Sequence, residues 1–517
     1  MKLLSRKSKL TRTVAVSMAS VLSLSALAAC SQGEAQTDNT ERVLRIGTLQ
    51  GYGDDEWFRS QFTELFEFAN PNIKIEIVPA VDSSMYRYSS EPYDPSKQPD
   101  PMEELKKMMQ GDNPPDLVMM EFNNLSELVN ENLLMPLDPL ITADKFDTSK
   151  IVPTVLDGIK ESSPDGKLYA LAPLFSSSAL FYNKKMFQDA GVAFPTDNMT
   201  WDQVFDLGRQ LSGGEGENQK YGFSFTTYQG GDSFYEMQMY TQPLQLSYYD
   251  QTGDKMAVDS DSWENVWKKI VDLRKQKIIP GPPNWEAQPM KEPGPFDWDN
   301  FLSGRTAMAI SSYYYINELI NANKTAETND KLDPIDWDVV TLPTHPEAPG
   351  IGGQIYLQGM MGINAKAQND KDAWEFMKFV NGDDWARLKS RSQGTLVSNK
   401  EYLQPKEGMS YNIGAFYQLK PAPIQDEMEM YRKYPNIYMV QSIGQQKFQE
   451  VLDGKKEVRQ ALKEWQTEGD AMLQQMREDP NFQGGNWGEP GMPEPLPIDT
   501  EAKAEEAATE EAVEVTE

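Results

Sequence analysis

The chain has 517 residues, 39% hydrophobic and 10% aromatic, which is enough for two or three packed domains. Its formal net charge of −30 repels nucleic acid and anionic headgroups and suits neutral or cationic solutes. One cysteine, Cys30, and one histidine, His345, leave no disulfide, argue against a zinc site and supply no metal or thiol chemistry to the body.

Other chemistry is also thinly supported. His345 stands between two prolines in "LPTHPEAP" and reads as a loop residue, with no GxSxG elbow to accompany it. No GxxxxGK[ST] or GxGxxG occurs, so no nucleotide cofactor is expected. Acids are so abundant that no single carboxylate pair stands out.

The first thirteen residues carry Lys2, Arg6, Lys7, Lys9 and Arg12, and "VAVSMASVLSLSALAA" follows without a charge. A basic start, a short apolar run and small residues at its end make a secretory signal over 1–29. The run is shorter than the roughly 20 residues a membrane span takes. Leu27-Ala28-Ala29-Cys30 resembles the lipobox of bacterial lipoproteins. The resemblance implies cleavage before Cys30 and lipid on its sulfur; an ordinary signal with a chance cysteine is the alternative. Polar residues 30–42 read as a flexible tether to the membrane.

"RVLRIGTL" (42–49) is a first strand, and "QGYGDDEW" its loop, where Asp54 or Asp55 can cap a helix. Phe58, Phe62, Leu65, Phe66 and Ala69 recur at helical spacing and form its core face. "ANPNIKIEIVPA" opens a second strand, with Ile73, Ile75 and Ile77 on one face. Pro101 starts the helix "PMEELKKMMQG" and Gly111 ends it. "PPDLVMME" is a third, buried strand. Strand-helix alternation predicts a parallel sheet, whose ligands sit beyond the carboxyl ends of its strands. The polar, Tyr- and Pro-rich segment 81–100 interrupts the pattern as an insertion loop. Thr200 caps a helix that turns Trp201, Val204, Phe205, Leu207, Gly208 and Leu211 to one side, and Trp374 to Val380 form a nearly buried helix. Gly488–Glu517 is rich in Pro, Gly and then acids, and reads as a disordered tail.

Several stretches stand together in a familiar order. They are "ANPNIKIEI", "NPPDLVMME", Gly166-Lys167-Leu168-Tyr169, Leu180-Phe181-Tyr182-Asn183-Lys184, Phe187 with Ala190-Gly191, and Thr200-Trp201-Asp202. "FLSGRTAMAISSYY", "GMMGINAKAQNDKDAWEFMKFV" and "PNIYMVQSIGQQKFQEVLDGKKEVRQALKEWQ" follow. Over residues 43–470 the chain resembles family 1 extracellular solute-binding proteins, the maltose-binding-protein-like group. That resemblance implies an α/β, two-lobed periplasmic-binding-protein-like fold, each lobe a mostly parallel sheet flanked by helices. Lobe 1 would hold 43–170 plus 356–393, and lobe 2 would hold 171–355 plus 394–487. The three interlobe crossings would fall near "LYALAPLF", "GIGGQIYL" and "GTLVSNKE". It also implies a monomer with no cofactor, lipid-anchored outside the bacterial cell membrane, that hands a carbohydrate, in the first place an oligosaccharide, to an ABC importer permease.

A sugar cleft needs flat aromatic faces and carboxylate or amide acceptors. Candidates at the expected cleft positions are Tyr52 and Asp54, Glu121 and Phe122, Ser176 and Ser177, Tyr228 and Gln229, Trp298, Gly353 and Tyr356. Tyr313 and Tyr314 join them; Tyr314 stands where the maltose-binding group places a stacking tryptophan, although Ser311-Ser312-Tyr313 replaces the usual turn. A surface polysaccharide hydrolase or lyase with paired carboxylates and a sensor for a membrane kinase are the alternatives.

The lone cysteine yields a direct test. Cys30→Ala should leave the body folded but release it to the medium or stall its processing. Metabolic labelling with a fatty acid should mark the parent and not the variant; equal labelling of both would remove the anchor.

Overall fold

The computed structural model describes residues 40–84, 99–228, 231–250, 252–281, 294, 296–329, 332–391, 394–422, 430–431, 433–434, 436–479 and 482. The signal, Cys30, Gln229, most of the 81–100 insertion and the acidic tail lie outside them. Strands among the described residues are β1 Arg42–Gly51, β2 Ile73–Asp82, β3 Leu117–Met119, β4 Leu174–Asn183, β5 Met308–Ser312 and β6 Trp337–Val340. β7 Ile351–Gly352, β8 Ile355–Gln358, β9 Met361–Ile363, β10 Leu396–Val397 and β11 Lys420–Pro421 complete them.

The first sheet has the order β2-β1-β3-β9. β1 lies between two parallel neighbours, in register from Arg42↔Ile73 to Gly51↔Asp82 and at Ile46↔Leu117. Parallel neighbours need long crossovers, and the helical stretches within 56–69 and 101–110 supply them. The second crossover starts and ends as its sequence predicts, and Asp100 adds a cap that the sequence reading did not name. The Asp100 carboxylate accepts the N–H groups of Met102 at 2.8 Å and Glu103 at 3.1 Å, Pro101 takes the first turn, and Gly111 closes the helix.

The first crossover departs from its predicted stripe. Asp55 stands at the N-cap, but its carboxylate accepts from Arg59 Nε at 2.8 Å instead of from a backbone N–H. A π turn over Arg59–Thr63 then widens the spiral. Phe58, Phe62, Thr63 and Phe66 therefore face the core, and Leu65 and Ala69, expected inside, face solvent.

The second sheet is built along β4. Its first half pairs antiparallel with β8 and β10, its second half with β5 and β6. Residues 221–224 run parallel beside β5 through the bridges Tyr221↔Thr306 and Ser224↔Ala309, so the sheet is mixed; its named strand pairs are all antiparallel, which corrects the expectation of a mostly parallel sheet in each lobe. Its core gathers Trp201, Phe205, Phe223, Phe225, Trp263, Trp267 and Trp465. Thr200 and Gln203 close a full capping box at the head of the Trp201 helix, fixing Trp201 inward. His345 is buried against the Tyr240 and Trp201 rings and donates from Nε2 to the Tyr240 carbonyl at 2.6 Å. Burial holds its imidazole below the ordinary range, so it is a satisfied packing residue.

Three passages join the sheets: between Leu171 and Leu174, between Gln358 and Met361, and ahead of Leu396. The middle one turns at Gly359, where φ is +64° and an added Cβ would lie 2.5 Å from the Phe62 ring. Only glycine meets both conditions. The chain thereby returns to the first sheet as β9, antiparallel to β3.

One buried carboxylate holds that return. Asp116 accepts the N–H groups of Arg45 at 3.0 Å, Gln368 at 2.9 Å and Asn369 at 2.8 Å. Asp116→Ala should orphan all three donors and lower stability by about 2–4 kcal/mol, with Asp116→Asn milder because one acceptor oxygen remains. Urea unfolding checks this; an unchanged midpoint would mean that the return is secured elsewhere.

Candidate binding cleft

The carboxyl ends of β1, β2 and β3 lie at Gly51, Asp82 and Met119. A cavity of about 1360 Å³ opens there, lined among others by Tyr52, Asp54, Trp57, Asp82, Glu121 and Asn124. Leu357, Gly359 and Tyr431 close it from later parts of the chain. Tyr52 is 66% exposed and its hydroxyl reaches Gln50 Oε1 at 3.3 Å. Trp57 is 65% exposed and meets Phe62 edge-on, at 6.1 Å and 77°, which leaves an indole face uncovered. Asn124 begins a helix while its Oδ1 accepts the Glu121 N–H at 3.2 Å, fixing the turn that presents Glu121.

The electrostatics are one-sided. Asp54, Asp55, Asp82, Asp100 and Glu121 line the cavity, and no Lys, Arg or His does so among the described residues. Asp55 is engaged by Arg59, and Asp100 by its helix. Asp82 accepts from Ser84, whose hydroxyl and N–H hold its carboxyl below the usual range. Asp54 and Glu121 have no side-chain partner among the described residues.

Three of the sequence candidates thus meet in one cavity: Tyr52, Asp54 and Glu121. A second group gathers at the middle of β4. Tyr356 of β8 pairs opposite Ser176, on the same face of the sheet. Tyr314 is 51% exposed beside them, and Gly394, at φ +138°, passes over its ring so closely that a Cβ would lie 3.0 Å away. Gly353 sits against Gln242 Oε1. Tyr228 and Trp298 form a separate exposed stack, at 5.7 Å and 28°. Behind them the buried Asp299 accepts the N–H groups of Phe301 and Leu302 and the Tyr315 hydroxyl at 2.9 Å. Burial pushes both the Asp299 carboxyl and the Tyr315 phenol up.

Phe122, Ser177 and Tyr313 do not reach solvent and so do not present a side chain to a solute in this form. Ser177 points away from Ser176 because strand side chains alternate, and its hydroxyl donates to the Ser178 carbonyl. Tyr313 turns inward against Phe416, under Lys406 Nζ, and Phe122 packs in the first core near Gly158. Trp57, Asp82 and Tyr431 went unnoticed in the sequence. Trp57 left one signal: a large aromatic that falls off the Phe58/Phe62/Phe66 stripe. Tyr431 left none, because only the tertiary fold brings it to the cavity.

The family model for bacterial extracellular solute-binding proteins matches residues 50–387. The chain belongs to that family. A Brucella abortus protein named as a binding protein is 22% identical over 370 residues, 69% of this chain and 79% of that one. The sn-glycerol-3-phosphate-binding periplasmic protein UgpB of Agrobacterium fabrum is 22% identical over 331 residues, 61% of this chain and 69% of that one. The sugar-binding protein MalE of Xanthomonas citri has the same fold, with a TM-score of 0.53 at 18% identity over 86% of this chain and 100% of that one. The chain is therefore a bacterial extracellular solute-binding protein, of a family that is not enzymatic, with a periplasmic-binding-protein-like fold. The hydrolase alternative falls with that membership. No helix among the described residues is long and apolar enough to cross a membrane.

A second titratable group borders the Tyr228 loop. Glu236, on the helix Ser233–Thr241, presses its carboxylate against Gly231 and faces Arg274 of the helix Asp261–Lys275. Among the described residues neither Glu236 Oε1 nor Arg274 Nε has a hydrogen-bond partner. Burial pushes the Glu236 carboxyl up to about 7, Arg274 opposes that rise and Asp232 adds to it. The folded form holds its proton longer than the unfolded chain, so stability falls as pH climbs from about 4.5 to about 7. The slope of melting temperature against pH in that window should flatten in Glu236→Gln. An identical slope in the variant would show that Glu236 does not titrate there.

Proposed function

We propose that this protein captures a carbohydrate, an oligosaccharide in the first place, between its two lobes and delivers it to an importer permease driven by a separate ATPase. The cavity's make-up carries the reading: exposed aromatic rings beside two carboxylates, Asp54 and Glu121, that have no side-chain partner among the described residues. Tyr52, Trp57 and Tyr431 offer faces to the C–H side of a pyranose, and Asp54 and Glu121 offer acceptors to its hydroxyls. Each stacked ring contributes roughly 1–2 kcal/mol of apolar burial, and each desolvated bond to a carboxylate about 1.5–3 kcal/mol. A few of each reach micromolar affinity, about −8 kcal/mol.

The same lining weighs against a phosphate ester such as the one named for the Agrobacterium relative. A phosphate would meet five carboxylates and no cation among the described lining residues. On this reading closure brings the exposed Tyr314 and Tyr356 side of the second lobe toward the solute, and the three passages act as the hinge. Lipid on Cys30 would keep the body beside its permease.

Calorimetry with purified residues 40–487 and a set of neutral oligosaccharides tests this. A bound sugar should contract the protein in small-angle scattering and emerge unchanged. Trp57→Ala and Glu121→Gln should each cost roughly 1–3 kcal/mol of binding with little change in melting temperature. Unaltered affinity in both variants would move the site away from this cavity.

A further inference from the structure

The charge of the cavity constrains its solute further. Five carboxylates face it, two of them, Asp54 and Glu121, without a side-chain partner among the described residues, and no described lining residue is cationic. When the lobes close, these two anions lose water. Neutral hydroxyls can satisfy their lone pairs but leave the charge in place. A metal ion is a poor counter-charge, because no group of three His, Cys, Asp or Glu side chains among the described residues could hold one. Nor does a cation come from the described residues nearby: Arg59 is committed to Asp55, Glu67 and the Ile75 carbonyl. Among the described residues the counter-charge is missing, and a cationic solute would bring it.

We propose that the preferred solute is a sugar bearing a free, protonated amine, and not its hydroxyl or N-acetyl counterpart; this rests on the carbohydrate reading of the same cavity. An ammonium donates three N–H bonds and cancels the charge of the carboxylate it meets. The faces of Trp57, Tyr52 and Tyr431 attract the same cation through their ring quadrupoles while stacking on the sugar's C–H side. The net charge of −30 draws such a solute in from solution, and salt within a Debye length of about 8 Å at physiological strength weakens that pull.

The test uses the protein lacking only its signal and three series of probes. They are glucosamine and galactosamine with their short β-1,4- and α-1,4-linked oligomers, the N-acetylated forms of each, and the corresponding glucose and galactose compounds. Binding is read by calorimetry and by ligand-induced rise in melting temperature, at low and at 0.5 M salt. The inference expects at least one amine to bind tenfold or more tighter than both of its counterparts. That advantage should shrink in high salt and vanish in Asp54→Asn/Glu121→Gln, whose fold is checked by circular dichroism and an unchanged melting temperature without ligand. If neutral or acetylated sugars bind as tightly as the amines, the inference fails and the carbohydrate reading stands. If none of the three series binds, both fail. An amine advantage that survives the double variant would also overturn the inference, because the cation would then be read elsewhere.

Discussion

The fold depends on bringing the chain back into a sheet it left long before. β9 must lie against β3 after the whole second sheet has been made, and such non-local pairing costs loop-closure entropy that local contacts do not repay. Asp116 and Asn364 meet that cost with buried hydrogen bonds. Asp116 gathers three backbone N–H groups from β1 and from the segment after β9. Asn364 donates from Nδ2 to the carbonyls of Met109 at 3.0 Å and Pro115 at 2.9 Å, and its own N–H reaches the Asp116 carbonyl. Both residues sit just outside the strands they join. The pairing of β3 with β9 is thereby fixed from the end opposite the cavity, where Glu121 and Gly359 stand.

The three passages are also tied to one another. Leu171 and Met361 exchange backbone hydrogen bonds, and the Ser398 N–H reaches the Pro173 carbonyl at 2.8 Å. A rotation at one passage therefore strains the others, which favours a two-position hinge over independent bending. The third passage carries Gly394 across the Tyr314 ring. Hinge geometry and the exposed tyrosine are mechanically linked at that contact.

The legible parts of this molecule were those with a local cause. Alternation and crossover spacing revealed β1, β2 and β3, and the rule about strand ends then led to Tyr52, Asp54 and Glu121 without any contact being known. Pro101 and Thr200 announced their helices locally, while Asp100 and Gln203, which complete the caps within one turn, were not read from the sequence. Leu65 and Ala69 misled because a π turn is invisible to a 3.6-residue period. Ser177 and Tyr313 misled for the opposite reason: each neighbours a residue that does face outward, and choosing between adjacent residues needs the strand register. Tyr431 and the Asp116 clamp were illegible because their partners lie far away in the chain, 71 to 253 residues for Asp116.

The cavity's charge bears on when the lobes close, as well as on what they close upon. A binding protein for an importer has to stay open while empty, since a closed empty form would occupy the permease to no purpose. Packing alone gives no such bias, but unpartnered carboxylates do. Bringing Asp54 and Glu121 under a second wall without a counter-charge costs desolvation in the closed form only. A solute can shift the equilibrium only by its differential affinity for the two forms. A solute that removes that penalty has such an affinity built in, and one that leaves the charge in place must find it in stacking and hydroxyl bonds alone. The same two side chains would then set both the selectivity of the cleft and the threshold for its closure.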